Sequence, residues 1–200
     1  HGDETGIHAR ITHGVDVEAI AARTAQRAAM RSSLGIGDST VVIGTVANFR
    51  AQKDYPNLLH AARRMIDAGV DMRIVAVGQG PDEAAITALH EQLGLGDRVI
   101  LAGFRADAVD VMAACDIFTL ASAWEGLPVA VMEALALGLP IVATRVGGLA
   151  ESLDDSSSIL VPRADPAALA DALTSLVLDP ERRAALSSGA RLAAREFDSS

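Results

Sequence analysis

Residues 117–148 read IFTLASAWEGLPVAVMEALALGLPIVATRVGG. A short run at 117–120, apolar but for Thr119, is followed by a Ser, Gly and Pro-containing loop, then by an apolar Ala/Leu/Val segment over 128–137, then by a second β-branched run at 141–143. Short apolar runs separated by a helix-length segment predict a βαβ unit, because a strand covered on both faces shows continuous rather than alternating hydrophobicity. Two glutamates stand eight positions apart within it, Glu125 in the Gly-Pro loop and Glu133 inside a helix whose other residues are apolar all round. An unpaired buried carboxylate costs on the order of several kcal/mol, so Glu133 needs either an arginine or a polyol ligand.

The same rhythm extends in both directions. Strand candidates lie at 41–47, 72–77, 99–101, 117–120, 141–143 and 159–161, and helix candidates at 56–68, 82–93, 106–114, 128–137, 166–178 and 180–197. Several helices carry proline in the first turn, where its missing N–H is harmless. The expected fold is α/β, a doubly wound, Rossmann-like parallel sheet of about six strands with right-handed crossovers. Residues 1–38 stand outside the alternation. A helix is expected at 17–34 after an extended segment, with a turn at Gly35, Ile36, Gly37 and Asp38.

Composition narrows the function classes. Half of the 200 residues are hydrophobic and only 3% aromatic, which supplies an aliphatic core. A formal net charge of −9 argues against sequence-independent binding to nucleic acid or to an anionic membrane, which attract basic surfaces. Cys115 is the only cysteine, so no disulfide framework exists, and its apolar neighbours predict a small buried core residue. No apolar stretch reaches the roughly 20 residues of a membrane span. A cytoplasmic location is expected, with peripheral membrane association only through another part of a longer protein; the chain begins with His1, not Met, and is expected to be part of one.

The polar and glycine residues collect after the strands: Asn48, Phe49, Arg50 and Lys53 after the first, Gly78, Gln79, Gly80 and Pro81 after the second, Gly103, Phe104 and Arg105 after the third, residues 122–128 after the fourth, and Gly147 and Gly148 after the fifth. In an open parallel sheet this carboxyl edge is where ligands bind. Glycines there admit close backbone approach, and helix N-termini favour phosphate.

Taken together these residues resemble the C-terminal half of retaining GT-B glycosyltransferases, the large "group 1" family. The resemblance rests on Ser122, the Glu125-Gly126-Leu127-Pro128 loop, Glu133, the Gly138-Leu139-Pro140 turn, Gly147, Gly148 and Glu151, which stand in the family's order and spacing. Lys53, the Val77-Gly78-Gln79-Gly80-Pro81 loop, Gly103, and Leu160-Val161-Pro162 with Asp165 add to it. The segment Ile11-Thr12-His13-Gly14-Val15-Asp16 is similar to the family's interdomain linker. The resemblance implies that residues 1–38 form that linker and a lead-in helix and residues 39–200 a Rossmann-like donor-binding domain, with the acceptor-binding N-terminal domain absent from this chain. It implies binding of a nucleotide-diphospho-sugar, UDP-sugar first and GDP-sugar next, for glycosyl transfer with retention of configuration. No cofactor and no metal are expected.

By position in the motif, Glu125 is the sugar-contacting glutamate, able to stabilise positive charge at the anomeric carbon. The backbone of Gly126, Leu127, Pro128 and Val129 serves the sugar or phosphate oxygens, and Glu133 takes the two ribose hydroxyls. A departing nucleoside diphosphate develops negative charge that needs fixed positive charge or a metal. No Asp-x-Asp motif follows a strand, which leaves Lys53 and Arg50, helped by the backbone at Gly147 and Gly148. Many relatives carry an arginine nearer Asn48, so Arg50 stands in a shifted position. Gly78, Phe104 and Arg105 are expected beside the base, Phe104 being almost equally readable as a core residue. As simpler alternatives, Glu133 could pair internally with Arg145 or Arg105, and Arg50 and Lys53 could sit on a solvated turn. Other functions compatible with the architecture are a UDP-N-acetylglucosamine 2-epimerase-like domain, disfavoured by the stretch from Glu125 to Glu133, and a non-catalytic nucleotide-sugar-binding or scaffold module. A flavodoxin-like regulatory domain requires a phosphoacceptor Asp at the end of a central strand, and no strand candidate ends in one.

Overall fold

A computed structural model describes residues 14–199. Its centre is a six-stranded, all-parallel sheet of β1 (Val42–Val46), β2 (Arg73–Val77), β3 (Val99–Gly103), β4 (Ile117–Leu120), β5 (Ile141–Thr144) and β6 (Ser158–Val161), in the order β3-β2-β1-β4-β5-β6. All six expected strands are present within two residues of their expected ends. Ile43, Ile117, Phe118, Ile141 and Val142 are fully buried, as the short apolar runs require of strands covered on both faces.

The helices are α1 (Val17–Ala22), α2 (Arg27–Ser33), α3 (Tyr55–Asp67), α4 (Glu83–Gln92), α5 (Ala108–Ala113), α6 (Val129–Ala136), α7 (Gly147–Ser152), α8 (Pro166–Leu178) and α9 (Pro180–Ala194). Helix α3 packs against α4 and α8, whereas α6 packs against α1 and α9, giving the two helical layers of a doubly wound fold. Asp165 and Asp179 cap α8 and α9 through their carboxylates, each ahead of a first-turn proline. Among the described residues no helix is long and apolar enough to cross a membrane.

Three details depart from expectation. The helix expected over 17–34 is interrupted by a 3-10 turn at Arg23–Gln26, α9 gives way to a 3-10 turn at Arg195–Phe197, and α7 was not anticipated. Residues 17–33 nevertheless belong to the body of the domain. Arg23, Arg27 and Arg31, spaced by four, reach across to α5 and β4: Arg23 Nε donates to Asp110 at 2.6 Å, Arg27 to Asp116 at 2.6 Å and to the Cys115 carbonyl at 2.7 Å. Arg31, only 2% exposed, donates to the carbonyls of Ala114 at 2.9 Å, Gly37 at 2.8 Å and Thr40. The two ends of the described chain also meet, with Val15 bridged in parallel to Asp198. Gly14 lies so close to Ser199 that an added Cβ would fall 2.5 Å from its Cβ. Residues 11–13 of the linker-like segment lie outside the described residues.

Candidate donor site

Strand order fixes where a site can form. From β1 the chain winds one way to β2 and β3, and from β4 the other way to β5 and β6, so the loops leaving β1 and β4 diverge and open a crevice at their carboxyl ends. Lys53 comes from the first loop and Glu125 from the second.

The β1 loop is anchored from below. Phe49 is 1% exposed and meets Tyr55 edge-to-face with ring centroids 4.7 Å apart, and the Tyr55 hydroxyl donates to the Ala47 carbonyl at 2.7 Å. A 3-10 turn at Ala51–Lys53 follows, closed by Asp54 in the left-handed region (φ 44°), whose carboxylate accepts from the Asn57 N–H to cap α3. This turn carries Lys53 into the crevice.

There the Lys53 ammonium forms an ion pair with Glu125 Oε1; the side chains are 14% and 4% exposed. Ser122 Oγ donates to the same Oε1 at 2.7 Å, and Gln52 Nε2 lies 3.4 Å from Oε2 and 3.1 Å from the Trp124 carbonyl. Thr144 Oγ1 at the end of β5 donates to the Ser122 carbonyl at 2.6 Å, and the Gly148 N–H donates to the Glu125 carbonyl at 3.1 Å. Gly147 has φ +41°, and a Cβ there would lie 2.1 Å from the Glu125 carbonyl oxygen. The glycine pair therefore clamps the Glu125 loop, and the Gly148 amide is committed to that loop rather than open to a phosphate. Gln52 and Thr144 were not identified from the sequence, since both act through backbone carbonyls of a loop some seventy or twenty residues distant.

Behind Lys53 lies a cavity of about 320 Å³ lined by Lys53, Asn48, Gly78, Gln79, Phe104 and Arg105 among others, bringing the loops of β1, β2 and β3 together. A Cβ on Gly78 would sit 2.0 Å from the Ala47 carbonyl oxygen, so glycine is required where these loops touch. Phe104 is 67% exposed, which removes its reading as a core residue. Arg105 donates through Nε and Nη2 to the two carboxylate oxygens of Asp107 at 2.8 and 2.7 Å.

Arg50 accepts at its carbonyl from the Lys53 N–H at 2.9 Å, but its side chain is not brought to the Lys53 ammonium. Its exposed side chain lines a separate cavity of about 310 Å³ with Asp54, Tyr55 and Asp82. The residue has extended backbone (φ −136°, ψ 155°) just ahead of the 3-10 turn, so it sits outside the turn that delivers Lys53.

Glu133 lies half-buried on α6 with no hydrogen bond or ion pair among the described residues, and desolvation pushes its carboxyl above the ordinary range. Neither arginine considered as an internal partner is used: Arg105 is paired with Asp107, and Arg145 is exposed. Helix α6 has Pro128 at its N-cap and no side-chain cap, leaving its first turn open on the Gly126, Leu127, Pro128 and Val129 side. Cys115 is fully buried, donates to the Val111 carbonyl at 3.2 Å, and has its thiol pushed up to about 12 by burial, as expected of a core residue. His90, part-buried on α4, has its Nε2 2.7 Å from the Val99 carbonyl.

Comparison with known proteins agrees with this geometry. The family model described as glycosyl transferases group 1 matches residues 26–193. The chain is 36% identical to a D-inositol 3-phosphate glycosyltransferase from Saccharomonospora viridis over 94% of its own length and 46% of the relative's. It is 29% identical to a GDP-mannose-dependent monoacylated alpha-(1-6)-phosphatidylinositol monomannoside mannosyltransferase from Corynebacterium glutamicum over 93% and 52%. The chain thus spans about half the length of such relatives. Among solved structures, Anabaena Alr3699/HepE in complex with UDP superposes with TM-score 0.81 at 26% identity, covering 92% of this chain and 52% of that one. The C-terminal domain of a group 1 glycosyl transferase, LpcC of Francisella tularensis, superposes with TM-score 0.82 at 25% identity, covering 94% of this chain and all of that one. With the motif, the sheet order and these matches in agreement, the chain belongs to the group 1 glycosyltransferases and has the Rossmann-like fold of their GT-B C-terminal domains.

Proposed function

We propose that the chain is the donor-binding half of a glycosyltransferase that takes its sugar from a nucleoside diphosphate, UDP-sugar before GDP-sugar, and transfers it with retention and without a divalent metal. The observation that carries this reading is the buried Lys53–Glu125 pair at the switch point of the sheet, with the unpartnered Glu133 on the helix that follows. Lys53 supplies fixed positive charge for the departing diphosphate, worth most in a site of low dielectric. Glu125 accepts from sugar hydroxyls and stabilises positive charge developing at the anomeric carbon. Glu133 takes the ribose cis-diol, which gives its desolvated carboxylate the donors the protein withholds. The acceptor belongs to the other domain of the GT-B architecture, so this chain alone is expected to bind donor and transfer nothing.

Support for a nucleotide comes from the HepE complex with UDP and from the GDP-mannose-dependent relative. Calorimetric titration with UDP, GDP and ADP, each with and without EDTA, tests the proposal. Saturable binding of one nucleotide that survives EDTA and falls about 10- to 150-fold in Glu133→Gln is expected, a carboxylate hydrogen bond being worth about 1.5–3 kcal/mol. Binding abolished by EDTA overturns the metal-independent part, and binding untouched in Glu133→Gln overturns the assignment of Glu133.

A further inference from the structure

Arg105 and Asp107, in the loop after β3, are bound to each other. Asp107 occupies the N-cap of α5, where an Asp carboxylate ordinarily accepts from the N–H of the second or third helical residue and contributes about 1 kcal/mol. Here it makes no such bond. Both oxygens turn back instead to Arg105, accepting from Nε and Nη2 at 2.8 and 2.7 Å. This side-on bidentate pairing fixes the plane of the guanidinium, not merely its position. These bonds hold the Asp107 carboxyl below and the Arg105 guanidinium above their ordinary ranges. Arg105 Nη2 also lies 3.7 Å from Met30 Sδ of α2, so the group is held from two elements.

Arg105 lines the same cavity as Lys53. Sheet order sets the distance scale: β1, which leads to Lys53, and β3, which leads to Arg105, are separated by β2 and hence by about 10 Å, two strand spacings. A ligand with its phosphates at Lys53 thus brings its other end to the β3 loop, over Gly78 and Gln79. A flat guanidinium held along its Nε–Nη2 edge by a carboxylate is suited to stack on an aromatic face, the way arginine planes stack on nucleobases.

We propose that Asp107 is a positioning residue for the nucleobase: by fixing the plane of Arg105 at the β3 end of the cavity, it makes that guanidinium a stacking surface for the base of the bound nucleotide. The inference rests on the donor-site reading above and adds to it a role for a side chain that touches no ligand itself. Planarity, not charge, is what Arg105 contributes, and Asp107 contributes only through Arg105.

The test titrates the chain and its Arg105→Lys, Arg105→Gln, Asp107→Asn and Asp107→Asn/Arg105→Lys variants with whichever of UDP, GDP and ADP the unaltered chain binds most tightly. Urea melts establish that each variant is folded. Both Arg105 variants are expected to weaken binding alike, by about tenfold, the scale of losing one stacking contact to a base. Asp107→Asn is expected to lose severalfold, with no further loss when added to Arg105→Lys. Retained affinity in Arg105→Lys alongside loss in Arg105→Gln makes Arg105 a point charge on phosphate and overturns the proposal. Unchanged binding in Asp107→Asn, or additive losses in the double variant, overturns the positioning role. An unaltered chain that binds none of the three nucleotides overturns the donor-site reading and this inference together, whereas normal binding with indifferent variants overturns this inference alone.

Discussion

Replacing Lys53 by Met removes one member of a nearly buried ion pair and keeps most of the side-chain volume. The Glu125 carboxylate is 4% exposed, and without Lys53 it retains only the Ser122 hydroxyl at 2.7 Å and the Gln52 amide at 3.4 Å. Breaking a buried pair by removing one partner costs about 3–5 kcal/mol, because a desolvated charge is left uncompensated. Since Lys53 is 14% exposed, some water reaches the pair, and the lower end of that range, about 3 kcal/mol, applies. The reverse change, Glu125→Gln, leaves an ammonium on a flexible stem that can turn to solvent, so it costs less, about 1–2 kcal/mol. Lys53→Met combined with Glu125→Gln leaves no orphaned charge and is expected to cost well under the sum, with a coupling of about 2 kcal/mol. Urea denaturation measures all three. With a slope of about 2–3 kcal/mol per molar, Lys53→Met moves the midpoint down by about 1–1.5 M, and adding Glu125→Gln moves it no further and recovers up to about a third of that shift. A Lys53→Met variant within 0.5 kcal/mol of the parent, or costs that simply add, would refute the view that these charges hold each other in the ligand-free protein.

Other consequences are separable. Because the folded-state pKa of Glu133 is raised above the ordinary value of 4.5 by desolvation, the folded chain binds more protons than the unfolded one in that window, so stability falls as pH rises through it. Glu133→Gln removes this loss: the ligand-free variant is expected to melt above the parent at pH 7, with the gap closing toward pH 4, and a variant melting below the parent at pH 7 would contradict it. Gly148→Ala places a Cβ 2.6 Å from the Gly126 carbonyl carbon, and since backbone must shift it is expected to cost about 1–3 kcal/mol in urea and to weaken nucleotide binding; a neutral variant would show that the clamp is loose. Cys115, with its thiol pushed up to about 12, is expected to resist thiol reagents at pH 8 until the chain unfolds, which a stoichiometric colorimetric assay in native buffer and in urea tests directly.

The sheet was legible because strands buried on both faces must be short and mostly apolar, and the central runs Val42–Val46, Ile117–Leu120 and Ile141–Thr144 are, their only polar side chains being the buried Thr45, Thr119 and Thr144. Helix α7 was not, since two glycines open it and its place is set by the Glu125 loop packing on Gly147 and Gly148, a contact about twenty residues away. Likewise the spacing of Arg23, Arg27 and Arg31 is visible in the chain, but its meaning depends on Asp110 and Asp116, more than eighty residues on. Lys53 and Glu125 could each be picked out from their loops. That they touch follows only from β1 lying beside β4. Proximity in sequence misled for Arg50, which is three residues from Lys53 yet turns into another cavity because its extended backbone lies outside the 3-10 turn.

The hydrogen-bond inventory of the pair explains how it can be both a stabilising contact and an open site. Lys53 carries three N–H donors and directs one at Glu125; the other two have no partner among the described residues. Glu125 Oε1 accepts from Lys53 and Ser122, whereas Oε2 has only the Gln52 amide at 3.4 Å, beyond a good hydrogen bond. On the donor reading, a diphosphate then takes ammonium protons and a sugar hydroxyl takes Oε2 without the pair coming apart. The ligand meets groups already desolvated and oriented, so it does not have to reorganise them. Glu133 has the opposite character: its desolvation is uncompensated in the ligand-free chain, so the same carboxylate that lowers stability above pH 4.5 gains most from a diol. On the donor reading, two glutamates eight residues apart thus divide the work, one held in place by the protein and one left for the ligand to satisfy.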